Sequence, residues 1–254
     1  MKTLAIVQAR MASSRLPGKV LADLAGHPVL WQVVQRVRRA SRLDKVIVAT
    51  STSRTDDSVA QFCNDAAIDL FRGSENDVLD RVYQAALAHH ADTVVRVTAD
   101  CPLIDPDVID CVLAVHASGA YDYVSNVIHY TYPDGLDVEA MSMQTLARAW
   151  REAVRPSDRE HVTPYVRFSN RFHTFNVAHD PDLSRHRWTI DEPADLEFVR
   201  RIYEALHRSL DFRMADILDL LARRPELQQL QGPGIINEGY YKSLGQPGLV
   251  VPCS

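Results

Sequence analysis

The stretch Leu4-Ala-Ile-Val-Gln-Ala-Arg-Met-Ala-Ser-Ser-Arg-Leu-Pro-Gly-Lys-Val20 decides how this chain is read. Leu4 to Val7 is apolar without interruption, as in a strand buried on both faces of a sheet. The chain then turns polar at Gln8 and Arg10 and runs through two serines, Arg15, Pro17, Gly18 and Lys19. Apolar residues return at Val29, Leu30, Val33, Val34 and Val37, spaced for one face of a helix. Strand, long polar loop and helix predict a βα unit, and ligands of parallel α/β sheets bind beyond the carboxyl ends of the strands. Three cations among small residues suit a polyanion there, a triphosphate above all, with Pro17-Gly18 fixing a turn between two of them. The alternative is a solvated loop whose cations pair with surface acids.

The same unit recurs outward from this start. Strands are expected at Lys45–Thr50, Ile68–Phe71 and Thr93–Thr98, with helices beginning near Asp57, Asp77 and Asp105-Pro106. Four such units by residue 115 are the pattern of a doubly wound sheet. From Tyr121 the texture loosens. Short strands are expected at Tyr123–Asn126, Asp137–Met141 and Phe172–Val177, and a last one at His186–Asp191, with Ser142 capping a helix and Glu192-Pro193 opening another. The tail after Pro225 carries five glycines and is expected to wrap over the body. One domain follows, with a nucleotide-binding half over 1–120, an acceptor-binding half over 121–225 and a wrapping tail over 226–254.

Bulk composition excludes several classes. The 254 residues are 46% hydrophobic and 24% charged, ordinary for a globular protein. A formal charge of −5 argues against general nucleic-acid binding while leaving room for a local basic pocket. The first apolar run is too short for a secretory signal, and no later stretch resembles a membrane span. Cys63, Cys101, Cys111 and Cys253 have neither CxxC pairing nor ligand-like spacing. A reducing, cytoplasmic setting is expected.

Two acids stand where strands are expected to end. Asp100 follows Thr93–Thr98, and Asp191 precedes Glu192-Pro193. Each serves either as a local charge partner or cap, or together they hold Mg²⁺ between phosphate oxygens, since magnesium takes few protein carboxylates. No GxxxxGK[ST], no strand followed by GxGxxG and no GxSxG is present. His89-His90 at a helix end makes no zinc pattern. What remains is a magnesium-dependent transfer on a nucleoside triphosphate without an evident protein nucleophile. The competing class is a metal-dependent glycosyltransferase using a nucleotide sugar, for which Asp105-Pro-Asp107 is the nearest approach to an Asp-x-Asp motif.

Gln8-Ala-Arg10, Ser14-Arg15-Leu-Pro-Gly-Lys19, Thr98-Ala-Asp-Cys-Pro-Leu103, Gly135-Leu-Asp-Val-Glu139, Arg159-Glu-His-Val-Thr-Pro164, Arg187-Trp-Thr-Ile-Asp-Glu-Pro193 and Ile236-Asn-Glu-Gly-Tyr240 carry a resemblance over nearly the whole chain. They resemble the sugar-nucleotide cytidylyltransferases, closest to the spore coat polysaccharide biosynthesis protein F branch, with Ala99 where a glycine is usual. The resemblance implies a three-layer αβα, Rossmann-like nucleotide-diphospho-sugar transferase fold around a mostly parallel mixed sheet. It also implies CMP transfer from CTP with Mg²⁺ as cofactor and release of pyrophosphate. Arg15 and Lys19 would then grip the triphosphate beside Gln8, Ala9 and Arg10. Asp100 and Asp191 would hold the metal, and Arg72, Gly73 and Arg81 would lie near the base. Asp137 and Glu139 would face the acceptor.

The acceptor is expected to be a small anion. Arg159 and His161 lie two apart near a helix start, and Arg187 sits four residues before Asp191, on one face of the expected strand. Together they suggest a clamp for a carboxylate, phosphate or phosphonate, the alternative being a core histidine and an arginine paired with a neighbouring acid. The aromatic loop from Ile128 to Gly135 fits either a homodimer interface or the acceptor pocket.

Overall fold

The computed structural model describes residues 1–207, 209–231, 234–236, 238–245 and 249–251. Seven strands form one sheet: β1 (Thr3–Gln8), β2 (Lys45–Ser51), β3 (Leu70–Gly73), β4 (Thr93–Thr98), β5 (Tyr123–Ser125), β6 (Glu139–Ser142) and β7 (Thr174–Asn176). Their order is β3-β2-β1-β4-β6-β5-β7, and β6 runs antiparallel to both its neighbours while the other pairings are parallel. The order reverses between β1 and β4, where Gln8 stands in register with Thr98. That is the topological switch point, and it opens the crevice in which such sheets bind ligands.

Alternation along β1 explains the layering. Ala5 and Val7 join a core with α1 (Val29–Val37), α2 (Asp57–Asp65), α4 (Pro106–His116), α8 (Pro193–Ala205) and α9 (Met214–Arg223). Leu4 and Ile6 point the other way, into a core with α3 (Val78–Ala88), α5 (Met143–Glu152) and α7 (Pro164–Phe168). All four β1 residues are fully buried, so the strand carries no polar face. Leu4, Ile6 and Val7 each contribute about 1.5–3 kcal/mol by leaving water, and Ala5 less. Val29, Leu30, Val33, Val34 and Val37 are likewise fully buried, as their helical spacing predicts.

The expected caps form. Asp77 accepts from the Asp80 N–H at 2.9 Å, Asp105 from Asp107 at 2.8 Å and Ser142 from Thr145 at 3.0 Å. At the start of α8 the Asp195 carboxylate reaches back to accept the Glu192 N–H at 2.8 Å. The helix α6 (Pro156–His161) begins at its proline, as read from the sequence.

The segment His186–Asp191 corrects the sequence reading, for it is no strand of the sheet. It crosses the carboxyl end of the sheet, making one isolated bridge between Asp134 and Arg187. The Trp188 N–H donates to the Asp134 carbonyl at 2.6 Å and the Ile190 N–H to the Asp100 carbonyl at 2.8 Å. Trp188 and Ile190 are fully buried, which produced the alternation, while their backbone serves two loops. Asp137 and Val138 also precede β6 as loop. The tail packs as a 3₁₀ turn at Pro225–Leu230 and a short helix, α10 (Glu238–Ser243). Gly232, Pro233, Asn237, Pro247, Gly248 and Cys253 lie outside the described residues.

Candidate active site

The loop after β1 is folded. Gly18 N–H donates to the Met11 carbonyl at 3.0 Å, closing residues 11–18 on themselves, and Gly18 takes φ +73°, a conformation that favours glycine. Asp56 anchors the loop's origin, accepting the Met11 N–H at 2.7 Å and the Ser51 hydroxyl at 2.5 Å. A 3₁₀ turn then starts at Lys19 and delivers its side chain inward.

Lys19 is 8% exposed, and its Nζ meets three acceptors. These are Asp100 Oδ2 at 2.7 Å, the Ile190 carbonyl at 2.7 Å and Asp191 Oδ1 at 3.0 Å. Arg15 reaches Asp191 at 2.8 Å. Burial alone would lower the Lys19 pKa, but Asp100 and Asp191 outweigh it and raise it above the ordinary value. Burial works to raise Asp100, and the ammonium outweighs that too, holding this carboxyl at about 2. Two carboxylates from distant parts of the chain thus meet around one tethered cation. Asp191 is placed by Asp195, whose Oδ2 accepts the N–H groups of Asp191 and Glu192 at 2.8 Å each.

An open cavity of about 390 Å³ spreads from this cluster. Six cations (Arg10, Arg15, Lys19, Arg81, Arg96 and Arg167) and six acids (Asp100, Asp134, Asp137, Glu139, Glu160 and Asp191) line it. The acids are not all available as free charge. Glu139 is engaged by Arg96 and by the Tyr123 hydroxyl at 2.5 Å. Burial, then the charges of Asp137 and Asp191, push Asp134 well above the carboxylate range. Burial also lifts Asp137 to about 6, against the Gly135 N–H that donates to it at 3.3 Å and with the Glu139 charge adding to the rise. With Asp134 holding its proton, the field over the cavity is more positive than the residue count implies.

The Asp137 shift gives a testable sign. The folded state binds this proton more tightly than the unfolded chain, whose carboxyl titrates near 3.8. Its stabilising contribution is complete below that value and is lost as pH rises through about 6. Asp137→Asn should therefore gain in Tm relative to the parent between about pH 4 and pH 7. A Tm difference that is flat with pH would contradict this.

Several residues read from the sequence do come together. Gln8, Ala9, Arg10, Arg15, Lys19, Arg81, Asp100, Asp137, Glu139, His161 and Asp191 all line the cavity. Arg72, Gly73, Arg159 and Arg187 do not. Arg72 ties loop to loop, donating to the Ser51 and Ser53 carbonyls at 2.9 and 3.0 Å and pairing with Asp57 at 2.7 Å. Gly73 acts one step back, since a Cβ there would stand 3.0 Å from the Arg81 Cγ. Arg187 donates to Asp195 at 2.5 Å, with Asp191 3.8 Å away.

Arg159 is a bolt between helices. It binds the Asp77 carboxylate at 2.6 Å and the Trp150 and Ala153 carbonyls at 3.0 Å each. The sequence-based clamp therefore loses both its arginines to structural pairing. Arg159→Ala should cost about 1–3 kcal/mol in denaturant unfolding, because it strands three acceptors, and leave the acceptor KM unchanged. A raised acceptor KM at unchanged stability would return Arg159 to the site.

Sequence reasoning passed over Arg167, Thr163, Tyr240 and Arg96, the last a polar break in the strand Thr93–Thr98, though all line the cavity, and Tyr130 joins them from the aromatic loop. That break was the available signal: a charged residue within an otherwise apolar β4. The loop 128–135 turns its aromatics inward, with Tyr132 buried and Tyr130 at the cavity. Asp105 accepts the Met214 N–H at 2.5 Å and Asp107 pairs with Arg213 at 3.1 Å, so Asp105-Pro-Asp107 joins α4 to α9. Cys63, Cys101 and Cys111 are free thiols, and burial first of all raises Cys101 well above the ordinary range.

The cytidylyltransferase family profile matches residues 4–215, most of the chain. The chain belongs to the cytidylyltransferase family. It is 32% identical over 231 residues to the spore coat polysaccharide biosynthesis protein SpsF of Bacillus subtilis, covering 87% of this chain and 94% of that one. A stretch of 117 residues is 41% identical to the 3-deoxy-manno-octulosonate cytidylyltransferase of Anaeromyxobacter sp. strain K, 45% of this chain and 47% of the relative. A cytidylyltransferase structure from Leptospira borgpetersenii superimposes with a TM-score of 0.86 at 29% identity, over 91% of this chain and 98% of that one. This chain is accordingly a nucleotidyltransferase enzyme with the mostly parallel, Rossmann-like sheet that its sequence resemblance implies. No helix among the described residues is long and apolar enough to cross a membrane.

Proposed function

We propose that the cavity binds CTP with its triphosphate against the Arg10–Lys19 loop and transfers CMP to an anionic acceptor. The observation that carries this reading is the Lys19 ammonium held between Asp100 and Asp191 at the switch point of the sheet. Among the described residues there is no group of three or more metal-type side chains. Two carboxylates nevertheless fit Mg²⁺, which takes one or two from the protein and completes its shell with phosphate oxygens and water. Asp100 and Asp191 would hold it, and it would neutralise charge on the phosphates.

The chain's own groups divide the remaining work. An acceptor oxygen attacks the α-phosphorus, the bond to the oxygen bridging to the β-phosphorus breaks, and pyrophosphate leaves. Arg15 and Lys19 stabilise the charge gathering on that leaving group, and Arg10, which makes no ion pair among the described residues, adds a third cation. Gln8 and Arg81 line the cavity on the nucleotide side. An acceptor attacking through a hydroxyl passes its proton to Asp137, whose raised pKa suits a base near neutral pH. Positioning and charge neutralisation suffice, so no protein nucleophile is required.

Anionic acceptor chemistry is supported by Arg167 and His161 in the cavity wall, and by the carboxylated sugar in the name of the partial relatives. A pyrophosphate-release screen with CTP, Mg²⁺ and carboxylated, phosphorylated or phosphonate acceptors tests it. Release with an anionic set and not with neutral sugars is expected. Release with neutral sugars at a matching rate would contradict the anionic assignment.

A further inference from the structure

Lys19 has two tasks that one ammonium cannot perform at once. The group has three N–H donors, and all three are taken, by Asp100 Oδ2 at 2.7 Å, the Ile190 carbonyl at 2.7 Å and Asp191 Oδ1 at 3.0 Å. A phosphate oxygen therefore gains a bond from Lys19 only where one of these acceptors loses it. Arg15 is placed alike, since the oxygen it reaches at 2.8 Å is again Asp191 Oδ1. The chain's own cations thus occupy one oxygen of each carboxylate that would hold the metal.

Counting charge gives the consequence. Asp100 and Asp191 bring two negative charges to the cluster, Lys19 and Arg15 bring two positive ones, and they cancel. The next cation, Arg187, is matched by Asp195, and its Nη2 also stands 3.8 Å from Asp191 Oδ2. Of the acids farther along the cavity, Asp134 keeps its proton, Glu139 is engaged by Arg96, and Asp137 faces Arg96 and Arg167. Magnesium gives up its water reluctantly and needs charged oxygen ligands to do so. A cluster already neutral offers it little.

The exchange that frees the carboxylates is one of side chains. The backbone at Lys19 is pinned, its N–H donating to the Leu16 carbonyl at 3.2 Å and its carbonyl accepting the Ala22 N–H at 3.2 Å. Val20 beside it is buried. The Ile190 carbonyl, which is uncharged, keeps one N–H of the ammonium in place while the other two turn. Arg15 is the outer of the two cations, its side chain 32% exposed against 10% for Lys19, so it is the first to leave.

We propose that Lys19 and Arg15 close the Asp100–Asp191 pair to divalent metal until a triphosphate draws them onto its own oxygens, so that metal enters only together with nucleotide. This rests on the nucleotide reading above and adds an order of binding to it. Charge is conserved in the exchange. The two cations pass from carboxylate to phosphate oxygens, and the two carboxylates are freed for the ion that the nucleotide brings. Without nucleotide, Lys19 is the cation of the site.

The test reads metal binding and needs no turnover. Mn²⁺, an oxygen-binding dication whose free-ion EPR signal is lost on binding, is titrated at about pH 7.5 and up to about 2 mM into nucleotide-free protein. The parent is expected to leave the signal unchanged in that range. Lys19→Ala is expected to bind Mn²⁺ at least about tenfold more tightly than the parent, and adding Asp191→Asn should remove the gain. In EDTA, Lys19→Ala should melt below the parent, and Mg²⁺ should restore part of the loss, because the ion replaces the missing charge. If Lys19→Ala does not fold, Arg15→Gln removes the more exposed cation and should show a gain of about threefold or more. A folded variant that binds Mn²⁺ no more tightly than the parent would overturn the proposal. So would uptake by the nucleotide-free parent that Asp100→Asn removes. The nucleotide reading is tested apart from this, by melting the parent with CTP and Mg²⁺. No rise in Tm would count against that reading, whereas the Mn²⁺ gain in Lys19→Ala is measured without nucleotide and does not depend on it.

Discussion

Asp100→Asn should slow pyrophosphate release at least about a hundredfold while leaving the chain folded. The substitution keeps the shape and removes one charge from a carboxylate 2.7 Å from the Lys19 ammonium. Lys19 retains Asp191 and the Ile190 carbonyl, so the buried cation is still compensated and the loop keeps its anchor. On the proposed function, what disappears is half of the paired carboxylate charge that would face the phosphates. A hundredfold fall corresponds to about 2.7 kcal/mol of transition-state stabilisation, within the range of a single well-placed electrostatic group. Steady-state rates at limiting Mg²⁺ check this together with a melting curve. Parental rates in a folded Asp100→Asn enzyme would show that transfer does not use this carboxylate.

Gly135→Ala is the substitution expected to damage the fold most at the site. Gly135 has φ +106°, and a Cβ there would stand 2.7 Å from both the Thr189 nitrogen and the Trp188 carbonyl carbon. Those are backbone atoms, so no side chain can swing aside. Positive φ and overpacking together should cost about 2–5 kcal/mol. For a chain of this size that lowers Tm by about 4–20 °C. Pushing residues 134–137 away from 188–190 also separates Asp134 and Asp137 from Asp100, because the Asp134 and Asp100 carbonyls take the Trp188 and Ile190 N–H groups. Activity should therefore fall further than stability at temperatures where the variant is folded. A melting curve within 2 °C of the parent, an allowance of about half a kcal/mol, would show that the close approach is not needed.

The parts of this molecule legible from its residues are those whose signals are local. β1, β2 and β4 are apolar runs because both faces are covered, and α3, α4 and α5 announce themselves through Asp77, Asp105 and Ser142 at their N-caps. The cationic loop and Asp100 were legible because a βα unit brings its polar residues to one sheet edge. Pairings across long separations were not. Arg159 finds Asp77, which lies 82 positions away, and nothing near Arg159 marks that partner. Trp188 and Ile190 alternate with polar residues as a strand would, yet their backbone closes over two loop carbonyls. Tyr240 reaches His161 only through the path of the tail, and ring-to-ring contact leaves no periodicity to read.

The central claim is that the Lys19–Asp100–Asp191 cluster receives the triphosphate of CTP, and thermal unfolding with CTP, ATP, GTP and UTP in the presence of Mg²⁺ tests it most directly. At about 100 times Kd a ligand bound only by the folded state adds about 2.7 kcal/mol, which is a rise in Tm of about 5–10 °C. That rise is expected with CTP, and a smaller one in Lys19→Ala. Unchanged melting with all four nucleotides would contradict the account.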